Sequence, residues 1–257
     1  MFESTSRNKI DKNDEHIIQI TLDLEQINHV AIVTGGNRGI GYEICKELSM
    51  SGCRVVLTSR NEEEGKKAIA SLHAHDNISY HKLDVTDIND ISSLKGWILK
   101  KYGRLDILIN NAGIYLDEGI SIFEVDEKIV QETLAANFYG AFHMCRAFVP
   151  IMKENGYGRI VNISSGYGAM NEMAGYQAAY RISKASLNAL TLIMADELRD
   201  LNIKVNAVCP GWVSTEMGGK MAPTNPQMAA KDIVHFALVD ARGPSGSFFR
   251  YKKAIQW

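Results

Sequence analysis

Cysteine is scarce and unpatterned. The four residues, Cys45, Cys53, Cys145 and Cys209, fall in apolar, periodic segments with no CxxC spacing. This excludes a disulfide scaffold or thiolate metal cluster and fits buried free thiols in a reducing cytoplasm. Long apolar runs are missing too. No stretch reaches the roughly 18 residues a membrane helix needs. The opening MFESTSRNKIDKNDEHIIQ lacks an apolar signal core, so neither a membrane partner nor secretion is expected. Nor is there an excess of charge: a formal net charge of -2 gives no reason to expect nucleic acid as a partner. The seven histidines are scattered. No metal-ligand cluster, nucleophile–histidine–acid arrangement, internal repeat or low-complexity tract is visible.

What is present fits one α/β domain. The chain has 257 residues, 46% hydrophobic and 23% charged, enough for a sizeable core. Residues 1–27 read as a loose N-terminal extension and 28–257 as the domain. From Val30 onwards, β-branched apolar runs alternate with helical periodicity. Strands are predicted at 30–33, 54–58, 78–85, 105–109, 159–163, 203–208 and 247–250. Helices are predicted after the first strand and at 88–102, 127–152, 179–199 and 232–240. Another opens after Asn61, an N-cap followed by Glu62, Glu63 and Glu64. Pro150 should disturb the last turn of the 127–152 helix. The alternation predicts a doubly wound, mostly parallel seven-stranded sheet covered on both faces. Ligands of such sheets sit beyond the carboxyl ends of the strands. The glycine turn after the first strand, Asp84, the Asn110 turn, Ser164/Ser165 and the Pro210 turn all fall there.

His29 to Gly41, HVAIVTGGNRGIG, joins a buried strand to a helix through a glycine-rich turn. Without Cβ atoms, backbone N–H groups can approach an anion, and the helix N-terminus adds partial positive charge. The bland reading is an ordinary βα turn; the strand–turn–helix context favours a nucleotide phosphate. A dinucleotide site for NAD carries an acid about 20 residues on. Here the second strand ends in Thr58-Ser59-Arg60, with no acid. A guanidinium there binds a 2′-phosphate, and Arg38 is placed to reach it from the other side, which predicts NADP(H). Otherwise both arginines are solvated surface charges.

Tyr180 and Lys184 lie four apart on a predicted helix, hence on one face. An ammonium beside a phenol lowers its pKa from about 10 and yields a general acid usable near neutrality. Alone, this pair reads more readily as a solvated helix face. Ser164 and Ser165 end the fifth strand, where a hydroxyl can meet a carbonyl oxygen or merely form a turn. Asn137, amid Ala135-Ala136-Asn137-Phe138, is costly unless its amide is satisfied, and reads as a structural hydrogen bond or a bend.

The ordered set Thr34-Gly35-x-x-x-Gly39-Ile40-Gly41, Asn110-Asn111-Ala112-Gly113, Asn137, Asn162-Ile163-Ser164-Ser165, Tyr180-x-x-x-Lys184 and Pro210-Gly211 resembles the short-chain dehydrogenase/reductase family. It covers residue 29 to the C-terminus. Thr58-Ser59-Arg60-Asn61, Leu83-Asp84-Val85, Cys209-Pro210-Gly211-Trp212-Val213 and the closing Gln256-Trp257 are most similar to its NADPH-dependent carbonyl reductases. The resemblance implies a Rossmann-like domain that reduces carbonyl compounds with NADPH. It implies that Tyr180 protonates the carbonyl oxygen and that Lys184 holds the nicotinamide ribose and tunes Tyr180. Ser165, or Ser164, polarises the carbonyl, and Asn137 holds a relay water. The cofactor would rest on Gly35, Asn37, Arg38, Gly39, Ile40, Gly41 and Arg60. Asp84 and Val85 would meet the adenine, and Asn111, Ala112 and Gly113 the ribose. Pro210, Gly211, Val213 and Thr215 belong to the nicotinamide and phosphate side.

The Ser165-to-Tyr180 gap of 15 residues lacks the long insertion linked in mammalian carbonyl reductases to a monomer, so a homo-oligomer pairing helices 127–152 and 179–199 is expected. Ser214 to Gln227 reads as a mobile lid. Met170, Met173, Met217 and Met221 would wall an apolar pocket or simply fill loops. An apolar or aromatic ketone, aldehyde or quinone is the expected substrate. The alternatives are an NADP-dependent alcohol or steroid dehydrogenase working oxidatively, and a non-enzymatic NADP(H) sensor or scaffold.

Overall fold

The computed structural model of the chain describes residues 29–72 and 75–257; the expected N-terminal extension lies outside them. Eight strands form one sheet: β1 (Val30–Val33), β2 (Arg54–Ser59), β3 (Ile78–Lys82), β4 (Ile107–Asn110), β5 (Gly158–Ile163), β6 (Ile203–Cys209), β7 (Phe248–Arg250) and β8 (Lys253–Ile255). Their order is β3-β2-β1-β4-β5-β6-β7-β8. Every neighbouring pair is parallel except β7–β8. The order reverses between β1 and β4, and that switch opens a crevice at their carboxyl ends. Among the described residues, seven α-helices accompany the strands: α1 (Gly39–Met50), α2 (Glu62–Ser71), α3 (Ile88–Tyr102), α4 (Glu127–Leu134), α5 (Gly140–Asn155), α6 (Ala178–Glu197) and α7 (Pro226–Ala237).

Side-chain alternation along the strands divides the core. Ala31 and Val33 of β1 face a cluster with Ile44 and Leu48 of α1, Ala68 of α2 and Ile233 of α7. Val30 and Ile32 face Leu94 and Ile98 of α3, Phe148 of α5 and Ala195 of α6. Both faces of the sheet are thus covered by helices, as a parallel sheet requires. Arg159, fully buried at the amino end of β5, donates to the carbonyls of Val239, Gly158 and Asn202 at 2.7–3.0 Å and stacks on Tyr157. Burial pushes its guanidinium below its usual value.

Several expectations need correcting. The strand count is eight, because Tyr251 and Lys252, both with positive φ, turn the chain into a two-residue hairpin that adds β8. β3 stops at Lys82, where its partner β2 ends at Ser59. The predicted 127–152 helix is divided: a π turn at Ala135–Tyr139 separates α4 from α5. α5 then runs past Pro150 to Asn155. The last helix starts at Pro226, not Asp232: Asn225 accepts from Met228 N at 2.8 Å, and proline is suited to the first helical position. The expected lid therefore loses Pro226 and Gln227 to α7.

Candidate active site

The crevice is tied together at its floor. Thr34, just beyond β1, accepts from the N–H groups of Asn111 and Ala112 at 2.9 Å each and donates to Ile109 O at 3.3 Å. Asn111 Nδ2 reaches back to Thr34 O and Gly35 O at 2.8 and 3.0 Å. Gly36 N donates to Thr58 O at the end of β2. Gly35 has φ 63°, a left-handed conformation that favours glycine, and a Cβ on Gly41 would collide with Gly35 O. The turn ends at an unusual helix start. α2, α3, α4 and α7 are each capped by their own Asn61, Asp87, Asp126 or Asn225 side chain. α1 has no side-chain cap and no acid in its first turn. Its N-terminus keeps N–H groups and partial positive charge for an anion.

Arg38 and Arg60 are both exposed beyond the adjacent strands β1 and β2. Arg38 pairs with Glu216, and Asn37 Nδ2 donates to Glu64 at 2.8 Å. Asp84 accepts from Thr86 N and Oγ1, and Val85 is buried against Gly140. Gly211, after Pro210, has φ 78° and lies against the Tyr251 hydroxyl. Val213 is buried, and the Thr215 side chain lies beside Gly39, bringing this segment to the glycine turn; Ile40 packs against the core on the α1 side.

Tyr180, Lys184, Ser165 and Asn137 come together at the ends of β4 and β5. The Tyr180 ring lies tilted by 46° against Tyr115, with centroids 4.7 Å apart, and meets Tyr167 edge-on at 6.2 Å. Lys184 Nζ donates to Ile163 O at 2.8 Å and lies 5.6 Å from the centre of the Tyr180 ring. Burial lowers the ammonium to about 8. The expected lowering of the phenol by the lysine is not seen: burial pushes the Tyr180 hydroxyl above its usual value, and the facing Ser165 hydroxyl opposes that rise. The two serines separate. Ser164 is buried and donates to Asn188 at 2.6 Å, whereas Ser165 faces the phenol. Tyr176 is exposed and turned outward.

Asn137 is the centre of the π turn. Its amide accepts from Ile114 N at 2.8 Å and donates to Ile114 O at 2.9 Å and to Ser183 Oγ at 3.0 Å. Both N–H donors are used, and Oδ1 keeps one lone pair. The space where a Gly113 Cβ would stand is 3.2 Å from that oxygen and 3.5 Å from Lys184 Nζ. Glycine at this position leaves a small polar gap between them. Beneath the site, Asn110 donates to Asn162, which donates to Thr191, both at 2.8 Å, and Asn188 donates to Gly168 O at 3.0 Å. These bonds tie β4, β5 and α6 into one polar ladder.

Two contributors lie outside the expected set. Tyr115 forms one aromatic wall of the cleft. Asp117, fully buried, accepts from Ala179 N at 2.7 Å and Tyr180 N at 3.4 Å. The signal for it was an omission: Tyr176-Gln177-Ala178 offers no Ser, Thr, Asp or Asn to cap α6. Met170, Met173, Met217 and Met221 are all exposed. A separate cavity of about 320 Å³, lined by Leu192, Arg199, Ile203 and Ser245, sits at the opposite, amino end of β6. No described helix is long and apolar enough to cross a membrane.

The family model described as short chain dehydrogenase matches residues 29–226. Carbonyl reductase (NADPH) 1 of Sus scrofa is 33% identical, with 89% of this chain and 94% of that protein covered. (+)-Neomenthol dehydrogenase of Arabidopsis thaliana is also 33% identical, over 91% of this chain and 99% of that one. The solved structure of an NADPH-bound carbonyl reductase from chicken fatty liver is similar with a TM-score of 0.81 at 27% identity, covering 89% of this chain and 99% of its own.

Proposed function

Because the chain belongs to the short chain dehydrogenase family and is an NADP-dependent oxidoreductase, we propose that it reduces the carbonyl group of an apolar or aromatic ketone, aldehyde or quinone, with Tyr180 as the general acid. The residues present fit the dinucleotide. The uncapped start of α1, reached through the left-handed Gly35 and Gly39, suits a pyrophosphate. Gly35, Asn37, Arg38, Gly39, Ile40 and Gly41 would hold it. Arg38 and Arg60 would take the 2′-phosphate, Asp84 and Val85 the adenine, and Asn111 to Gly113 the ribose. Pro210, Gly211, Val213 and Thr215 would line the nicotinamide side. NADPH bound there supplies the hydride for the carbonyl carbon.

The chain's own groups do the rest. Ser165 donates a hydrogen bond to the carbonyl oxygen and fixes its direction. Tyr180 delivers the proton to that oxygen. Lys184 holds the nicotinamide ribose. The gap at Gly113 takes a water between Asn137 Oδ1 and Lys184 Nζ, through which the proton on Tyr180 is restored. Tyr115 and Tyr167 exclude water and favour a flat, apolar substrate. Four buried, unpaired thiols suit a reducing cytoplasm. Exposed Tyr139, Ile182 and Ile193, on the π turn and α6, suit a homo-oligomer, which light scattering would test.

What carries this reading is the contiguity of Gly35, Ala112, Gly113 and Lys184, which brings the anion-accepting turn next to the tyrosine–lysine pair. The test is NADPH oxidation against a panel of ketones, aldehydes and quinones, with Tyr180→Phe alongside. The variant should lose about 10²- to 10⁴-fold in kcat while still binding NADPH. Near-normal turnover would mean that another residue is the acid. A second reading, oxidation of a secondary alcohol, is favoured by the likeness to neomenthol dehydrogenase. The same panel run with NADP and alcohols compares the two directions.

A further inference from the structure

Helix α6 begins without a local cap. Tyr176 and Gln177, the two residues before it, both have left-handed φ, 63° and 52°, which non-glycine residues rarely adopt. Gln177 provides no side-chain cap bond to the helix. The N–H groups of the second and third helical residues, Ala179 and Tyr180, donate instead to Asp117 Oδ2, across 62 and 63 positions of chain. On the same loop Ile120 O accepts from Gln177 N at 3.1 Å. Two residues before Asp117, Tyr115 sets its ring, tilted, against that of Tyr180.

Asp117 is costly where it stands. It is fully buried, and Oδ1 has no hydrogen-bond partner in the protein. A helix cap is a modest stabilising contribution, and a buried carboxylate with a bare oxygen is a larger penalty. Other helices of this chain are capped by their own Asn61 and Asp87 without a buried carboxylate. Stability alone therefore does not account for the residue.

We infer that Asp117 is a positioning residue for Tyr180. It pins the first turn of α6, which carries the tyrosine, to the loop following β4. The hydroxyl is then located relative to the substrate wall rather than by the helix alone. The strained entry at Tyr176–Gln177 is held by the same loop, so the loop and the tyrosine move as one unit. This rests on the assignment of Tyr180 as the acid.

The test uses Asp117→Ala and Asp117→Asn in the full chain, assayed with NADPH and an aromatic quinone. NADPH affinity and amide hydrogen exchange over residues 176–184 are measured in parallel. Asp117→Ala should lower kcat about 10- to 100-fold, the scale of a small misplacement of a reacting group. NADPH affinity should be unchanged, and exchange should rise in 176–184 only. Asp117→Asn retains an acceptor for the same N–H groups and should restore most of the turnover and the protection. Wild-type kcat in the alanine variant overturns the inference. So does failure of Asn to rescue, or a rise in exchange throughout the sheet, which would mark a general structural loss. If the alanine variant does not fold, Asp117→Ser carries the test: reduced kcat with a local rise in exchange supports the clamp, and wild-type kcat refutes it. Tyr180→Phe separates the two ideas. If it abolishes turnover while Asp117→Ala does not, only the clamp fails; if it keeps turnover, the acid assignment fails and the exchange data still judge the clamp.

Discussion

Two helices present their N-termini to one cleft, and the chain finishes them in opposite ways. α1 starts without a cap, and the cations near it, Arg38 and Arg60, are exposed. α6 starts against a carboxylate brought in from a distant loop, and the charges beside it, Asp117 and Lys184, are buried. The first side is built to be completed by an anionic ligand. The second is complete in the chain itself, as the proposed proton transfer from Tyr180 would require. The pairing of Arg38 with Glu216 fits this contrast. An exposed ion pair is worth about 0–1 kcal/mol, so little holds the Arg38 guanidinium to Glu216 against another anion.

The contrast breaks first, and most widely, at the exposed arginines. Arg38→Ala with Arg60→Asp should weaken NADPH binding by about 100-fold while NADH is nearly unaffected, as titration of both cofactors would show. Equal losses for the two would remove the 2′-phosphate from the account.

The buried side is sharpened by pH. The folded pKa of Lys184, about 8, lies below its unfolded value of 10.5. Between these values the unfolded chain holds a proton that the folded chain has released. The stability contributed by this group therefore rises with pH across that window. Without cofactor, Lys184→Met should melt above the wild type at pH 7, and the difference should shrink by a few degrees, roughly, towards pH 10. A difference that is constant with pH would mean that the ammonium is not desolvated.

The smallest effect is expected from closing α1. Arg38→Asp would cap it as α2, α3, α4 and α7 are capped, adding about 1 kcal/mol, or about 2–4 °C, to the cofactor-free protein while weakening NADPH binding. A lower melting temperature would argue that the open end carries no stability cost.

The two sides also differed in how far the sequence revealed them. The glycine turn is local: strand, Gly35 to Gly41 and helix follow one another, so the anion-accepting end of α1 could be read directly. Tyr180 and Lys184 share a helical face and were legible for the same reason. Asp117 was not, since its contact spans 62 residues and depends on how the loop after β4 folds. The choice of Ser165 over Ser164 depends on which way each residue faces after β5, and Asn188, which claims Ser164, lies on another element. The amide of Asn137 pointed to a disturbed helix, but its form, a π turn clasping Ile114, required the tertiary contact. β8 has only three residues and no alternating pattern, and the turn before it uses Tyr251 and Lys252 where glycine or asparagine would have announced a hairpin.

The amide and hydroxyl ladder from Asn110 through Asn162 to Thr191, with Ser164 and Asn188 beside it, makes the cleft a fixed floor under replaceable walls. Exchanging the exposed segments around Met170–Met173 and Met217–Met221 should leave Tyr180 and Lys184 undisturbed and, on the proposed function, retune which substrates are accepted. Trimming any rung of the ladder to an apolar residue would instead blunt the enzyme towards every substrate alike.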